Sequence, residues 1–289
     1  MAANPDEILH DFFPLLKHYK DGRIERLVGV DLVPPAVDPK TGVQSKDVEI
    51  SPEINVSARL YLPKNPDRSK KLPLLVYFHG GGFLVDSAFS SQYQKHLNCL
   101  VAEANVVAVS VNYRLAPEHP LPIAFEDSWL ALEWIVSEST DEWIKDYADL
   151  DRVFFGGDSA GGNIAHNMAV RIGTQKLDGI NLSGVILNCP FFYGKDPIGN
   201  EDCDEPWINP AKDEKLSSLG CKKVLVYVAE KDFLKDRGCY YKEILSKSGW
   251  NGDVELVEVE GADHVFSVVY PDSENGIAML KKVASCINE

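Results

Sequence analysis

Gly156-Gly157-Asp158-Ser159-Ala160-Gly161-Gly162-Asn163 is the stretch on which the fold of this chain turns. It follows the short apolar run Val153-Phe154-Phe155 and opens a segment in which Ile164, Met168 and Ile172 recur at helical spacing. Strand, sharp turn and helix form the context that gives a G-x-S-x-G pattern its meaning. The corner demands a strained backbone at a residue other than glycine, so its neighbours must be small; Gly157, Ala160 and Gly161 are. A serine held there projects its hydroxyl beyond the sheet edge. It sits at a helix N-terminus whose first N–H groups lack internal partners. The plain alternative for Ser159 is a helix N-cap, and the rest of the chain decides between the two.

A serine hydroxyl becomes a nucleophile only with a base, a group that orients the base, and donors for the developing oxyanion. The donors are expected upstream. Leu74-Leu75-Val76-Tyr77-Phe78 reads as a buried strand and runs straight into His79-Gly80-Gly81-Gly82-Phe83. Three successive glycines let backbone N–H groups approach a carbonyl oxygen unobstructed, and the N–H of Ala160 faces the same place. The chain has seven histidines. For a serine on a strand-to-helix elbow the partners follow in the order acid, then histidine, and only His166 and His264 come after Ser159. His166 lies two turns along the helix that the serine begins. His264 sits just past the strand-like 254–259, at a strand's carboxyl end, where open α/β sheets build their sites. His264 is the expected base. Glu230, Asp232 and Asp236 follow the preceding strand, 224–229, and Asp232 is best placed, beyond the strand and before the next helix. Asp263 adjoins His264 and would have to fold back on its own neighbour.

These motifs resemble those of the plant carboxylesterases in the hormone-sensitive-lipase group of α/β-hydrolases. The resemblance rests on His79-Gly80-Gly81-Gly82-Phe83 and Gly157-Asp158-Ser159-Ala160-Gly161-Gly162-Asn163. Tyr113-Arg114-Leu115-Ala116-Pro117-Glu118, Ala229-Glu230-Lys231-Asp232 and Asp263-His264-Val265-Phe266 extend it. It begins near Tyr19-Lys20-Asp21-Gly22-Arg23 and runs almost to the C-terminus. It implies an α/β-hydrolase fold with a mostly parallel eight-stranded sheet, helices on both faces and a Ser159–His264–Asp232 triad. It also implies an oxyanion hole from the N–H groups of Gly81, Gly82 and Ala160, with no cofactor or metal.

The 289 residues show no linker, repeat or low-complexity tract, so a single domain over 1–289 is expected, with lid elements from about 1–45 and 190–219. A net charge of −15 argues against nucleic acid and anionic membrane surfaces as partners. Six scattered cysteines without a C-x-x-C pair favour free thiols in a reducing compartment. The polar, acidic start lacks a signal-peptide pattern, and no apolar run approaches the roughly 20 residues of a membrane helix. The expected location is the cytoplasm, and the expected partner a small-molecule ester or specialised metabolite.

Along the chain, residues 6–20 carry an apolar face suited to a short helix interrupted at Pro14; by the resemblance this arm roofs the site. Residues 47–50 and 56–62 alternate as half-buried antiparallel strands. A helix is expected over 93–104, an apolar strand over 106–111, a helix from Pro122 and a strand over 182–187, an α/β alternation. Arg114 and Glu118 are expected to fix their turn by an internal ion pair. His79 is expected to shape its loop through backbone bonds, and Asp158 to make a structural hydrogen bond. Between Asn188 and Val224 the chain passes quickly through an acidic loop to Trp207, where relatives carry a longer lid, so a shortened lid and an open pocket are expected. Phe83, Phe192, Trp207 and Phe266 are the candidate apolar walls for substrate, with ordinary core packing as the competing role.

The leading expectation is a serine carboxylesterase acting on small, fairly apolar esters through an acyl-enzyme. One alternative keeps the seat and changes the reaction, to elimination or cyclisation of a plant specialised metabolite. Another is a non-catalytic hormone receptor, which an intact His264 argues against.

Overall fold

The computed structural model describes residues 6–194 and 205–289. Cys203 and the acidic lid residues from Glu201 to Asp204 therefore lie outside the described residues. Three short strands open the chain: β1 (Ile8–Phe12), β2 (Leu16–Tyr19) and β3 (Ile24–Arg26). Then follow β4 (Gln44–Ser51), β5 (Val56–Leu62), β6 (Leu72–Phe78), α1 (Ser91–Ala104), β7 (Val107–Asn112), α2 (Ile123–Val136) and α3 (Glu142–Tyr147). The second half holds β8 (Ala148–Asp158), α4 (Ala160–Gln175), β9 (Leu182–Asn188), β10 (Lys223–Ala229), α5 (Lys235–Lys247), β11 (Asp253–Val259), α6 (Phe266–Val269) and α7 (Glu274–Asn288).

Eight strands form one sheet in the order β11-β10-β9-β8-β6-β7-β5-β4. Every pair from β11 to β7 is parallel, while β5 runs antiparallel to both β7 and β4. The central strands read as unbroken apolar runs because both faces are covered. Helices α2, α4 and α5 pack one face over Val76, Phe78, Val109 and Phe155. Helices α1, α6 and α7 cover the other over Leu75, Tyr77, Phe154 and Leu225. β6 lies between β7 and β8, so the strand order reverses there, the kind of crevice in which open α/β sheets take ligands. Phe78 pairs with Gly157 across it, which brings the glycine loop and the serine turn side by side.

The N-terminal arm departs from the expected helix. It is a three-stranded antiparallel sheet in which Leu16 and Tyr19 are buried and all of β1 is exposed. Two reversals replace the helix: Leu15 N–H donates to the Phe12 carbonyl at 2.8 Å between β1 and β2, and Asp21-Gly22 turns the chain between β2 and β3. Gly22 adopts φ +88°, a left-handed turn conformation, and Tyr19 N–H donates to the Arg23 carbonyl to close a reversal. The expected ion pair within the 113–118 turn is also replaced. Arg114 pairs with the buried Asp127 at 2.7 Å. Glu118 takes both Nη groups of Arg26, at 2.8 and 2.7 Å, and Arg26 Nε also donates to the Leu84 carbonyl at 2.8 Å. The arm is thereby clamped to the loop after the glycines, with Leu15 Cδ1 only 3.7 Å from where a Cβ on Gly82 would stand.

Among the described residues five cysteines are unpaired. No described helix is long and apolar enough to cross a membrane.

Candidate active site

Ser159 joins β8 to α4 with φ +49° and ψ −118°, a conformation that L-residues rarely hold. Packing enforces it. Ser159 N–H donates to the Asn188 carbonyl at 2.9 Å, and its own carbonyl accepts from Phe191 N–H at 2.9 Å and Asn163 N–H at 3.2 Å. Its side chain makes no capping bond, so the N-cap alternative falls away. A Cβ on Gly157 would stand 2.3 Å from the Gly161 carbonyl oxygen, which is why the turn needs glycine there.

The glycine loop is anchored from beneath by phenols. Tyr93 accepts from Gly80 N–H at 2.8 Å and donates to Asp158 Oδ2 at 2.9 Å, while Tyr77 donates to Asp158 Oδ1 at 2.8 Å. Burial pushes the Asp158 carboxyl up to about 6, with the two phenol hydrogen bonds pulling the other way. Asp158 thus has the structural hydrogen bonds expected of it, and it couples the serine turn to the glycine loop. His79 also acts on its loop: its ring stacks on Tyr113 at 4.2 Å, and Nδ1 bonds the Gly80 carbonyl at 2.8 Å. Gly81 and Gly82 take φ of +96° and +64°. The N–H groups of Gly81, Gly82 and Ala160 donate to none of the described residues.

At the far edge of the crevice, His264 Nδ1 bonds Asp232 Oδ2 at 2.7 Å. Asp232 leaves β10 through a turn in which its Oδ1 accepts from Leu234 N–H at 2.8 Å, so its second oxygen is free for the imidazole. The carboxylate is buried, while the His264 side chain is 29 % exposed. The rival acids are engaged or distant. Glu230 accepts from Gly261 N–H at 2.6 Å, and Asp236 lies exposed on α5. His166 is fully buried against Tyr241, and burial lowers its pKa to about 3. The structure brings Asp232 to His264 by a direct bond. Ser159 follows β8, two strands from β10 in the sheet, and its hydroxyl makes no hydrogen bond to any described residue.

The candidate substrate walls divide. Phe192 is completely buried, stacked on Tyr241 at 4.7 Å and edge-on to His166. Phe266 is buried in the core beneath α1 and α7. Both belong to the core. Trp207 is exposed, whereas Phe83 is itself buried in the core, in T-shaped contact with Phe125 and with Phe191. Phe191 and Phe125, which sequence reasoning passed over, complete an aromatic run that ends at Trp207. That run borders a cavity of about 560 Å³ between α2 and α4, which no triad candidate lines. Phe192→Ala should therefore cost about 3–4 kcal/mol in chemical denaturation and leave the relative rates on short and long esters unchanged. A changed chain-length preference would return Phe192 to the pocket.

The chain matches the family model described as the alpha/beta hydrolase fold over residues 75–200 and 192–268. It is 44 % identical to a 2-hydroxyisoflavanone dehydratase of Glycyrrhiza echinata, covering 96 % of each chain. It is 43 % identical to "Probable carboxylesterase 2" of Arabidopsis thaliana, over 100 % of this chain and 99 % of that one. The first alignment spans 314 positions, more than the 289 available here, so that relative carries residues without counterparts in this chain. A solved esterase of Pyrobaculum calidifontis superposes with a TM-score of 0.71 at 28 % identity, covering 84 % of each chain. With its sheet order, its strained serine turn and these likenesses, the chain belongs to the plant carboxylesterase branch of the α/β-hydrolase fold family.

Proposed function

We propose that the chain is a serine carboxylesterase, with Ser159, His264 and Asp232 as its triad, cleaving small, fairly apolar esters through an acyl-enzyme. The observation that carries this reading is the 2.7 Å bond from the buried Asp232 to His264, on a histidine that remains partly open to solvent. In that tautomer Nδ1 keeps its proton and Nε2 is left as the acceptor for the serine proton. Ser159 Oγ attacks the ester carbonyl as His264 takes its proton. The same imidazole then returns the proton to the departing alcohol, and water repeats the sequence on the acyl-enzyme. Free N–H groups at Gly81, Gly82 and Ala160 receive the oxyanion, each well-aimed donor contributing about 3–4 kcal/mol to the barrier reduction.

The family match comes in two pieces that overlap over 192–200, and the Glycyrrhiza relative carries residues without counterparts in this chain. Both support a reduced lid, and with it a pocket open to water and to small esters. The unpaired cysteines suit a reducing compartment, and the cytosol is the proposed location.

The test is covalent labelling together with turnover. A fluorophosphonate should add one equivalent, found by mass spectrometry on the peptide holding Ser159, and p-nitrophenyl acetate and butyrate should turn over faster than longer esters. The dehydratase relative gives a second reading, elimination of water with His264 moving the proton. An unlabelled Ser159, esters left intact and loss of water from a 2-hydroxyisoflavanone would install that reading instead.

A further inference from the structure

Cys189 has no part in the chemistry above, yet it stands against it. It follows β9 directly, with φ +48°, and its N–H donates to the Tyr227 carbonyl at 2.9 Å, so β10 fixes its place. It is 1 % exposed. Its Sγ, an Asp232 carboxylate oxygen and a His264 ring nitrogen lie within 4.8 Å of one another, and no other such trio of potential ligands occurs among the described residues.

We propose that Cys189, Asp232 and His264 form an inhibitory site for a thiophilic divalent cation, Zn²⁺ or Cd²⁺, which captures the imidazole of the proposed triad. One sulfur, one nitrogen and one oxygen donor are the ligand types zinc takes, with open positions left for water. Ligands about 2.0–2.3 Å from a tetrahedral zinc stand roughly 3.5 Å apart. The three side chains must therefore adjust by about an ångström, and His264, the most open of them, has room to do so.

Protons balance without any transfer of electrons. The Cys189 thiol loses its proton to solvent and a metal–thiolate bond forms. The His264 proton moves from Nδ1 to Nε2, freeing the Nδ1 lone pair for the metal, while Asp232 exchanges its hydrogen bond for a metal–oxygen bond. One proton is released per ion. The functional consequence rests on the esterase reading: Nε2 now carries a proton and cannot accept one from Ser159. The ion would inhibit by reversing the tautomer, leaving the fold alone.

The experiment titrates the full chain with Co²⁺, watching for the near-ultraviolet thiolate-to-cobalt band. A parallel titration with Zn²⁺ follows p-nitrophenyl butyrate hydrolysis. The wild type should develop the band at one ion per chain and lose activity in step, with recovery on chelation. Cys189→Ala should lose the band, and its zinc inhibition constant should rise by at least tenfold relative to its own uninhibited rate. Cys189→Ser serves if the alanine variant folds poorly, and it should behave the same way, since an alcohol oxygen replaces the soft donor. An identical band and inhibition constant in wild type and variant would overturn the site. A chain that binds cobalt through Cys189 and hydrolyses no ester would sink the esterase reading and leave the metal site standing.

Discussion

Replacing Ser159 by alanine should lower kcat on p-nitrophenyl butyrate by about 10⁴-fold or more, with KM nearly unchanged. In the proposed mechanism the Ser159 hydroxyl supplies the bond-forming atom. What survives is the contribution of the backbone donors and of binding, so the variant should still exceed the uncatalysed rate. The melting temperature should not move, because the Ser159 hydroxyl bonds no described residue, and alanine carries the same Cβ into the same strained φ of +49°. His264→Ala should cost a similar factor. The double variant should be scarcely worse than either, since groups that act as one unit do not add. Initial rates and thermal melts on the three proteins decide it. Retention of most turnover by Ser159→Ala would end the acyl-enzyme mechanism.

Much of this site could be read beforehand because its signals are local. A glycine run after an apolar strand and a serine flanked by small residues each announce a backbone geometry that few sequences need. The Asp232–His264 pair is legible for a related reason: each residue stands within a few residues of a parallel strand's carboxyl end. What escaped is non-local or crosses a break in periodicity. Phe191, not Phe192, faces the aromatic run, because Cys189 at φ +48° and Pro190 interrupt the alternation that would otherwise carry face identity past β9. Tyr77 and Tyr93 look like any apolar strand and helix positions until Asp158, 81 and 65 residues away, arrives between them. Glu118 finds Arg26 across 92 residues, a pairing set by where the N-terminal arm packs and by no local pattern. Local chemistry is written in the chain, whereas partners chosen by packing are not.

Packing also sets the second large effect, at Gly161. A Cβ there would lie 1.9 Å from the Phe78 carbonyl oxygen and 2.5 Å from that of His79, both rigid backbone atoms at the end of β6. Gly161 is helical with no unusual φ, so the cost of Gly161→Ala is steric alone. To reach ordinary contact the strand end must retreat by about 1 Å or more, and Gly80, Gly81 and Gly82 retreat with it. Misplacement on that scale costs on the order of 10²-fold in rate. Forced overpacking adds roughly 1–3 kcal/mol of destabilisation, a fall of several degrees in melting temperature for a chain of this size. Gly22→Ala supplies the contrast. Gly22 has the more demanding backbone at φ +88°, yet nothing lies within 4 Å of its Cβ position. It should lose about 1–2 kcal/mol through strain and keep full ester turnover. Two alanine-for-glycine changes would then separate the requirements: at Gly22 the chain needs a conformation, and at Gly161 it needs the space through which serine turn and glycine loop touch. Wild-type rate and melting temperature in Gly161→Ala would show that this contact does not hold the two loops in register.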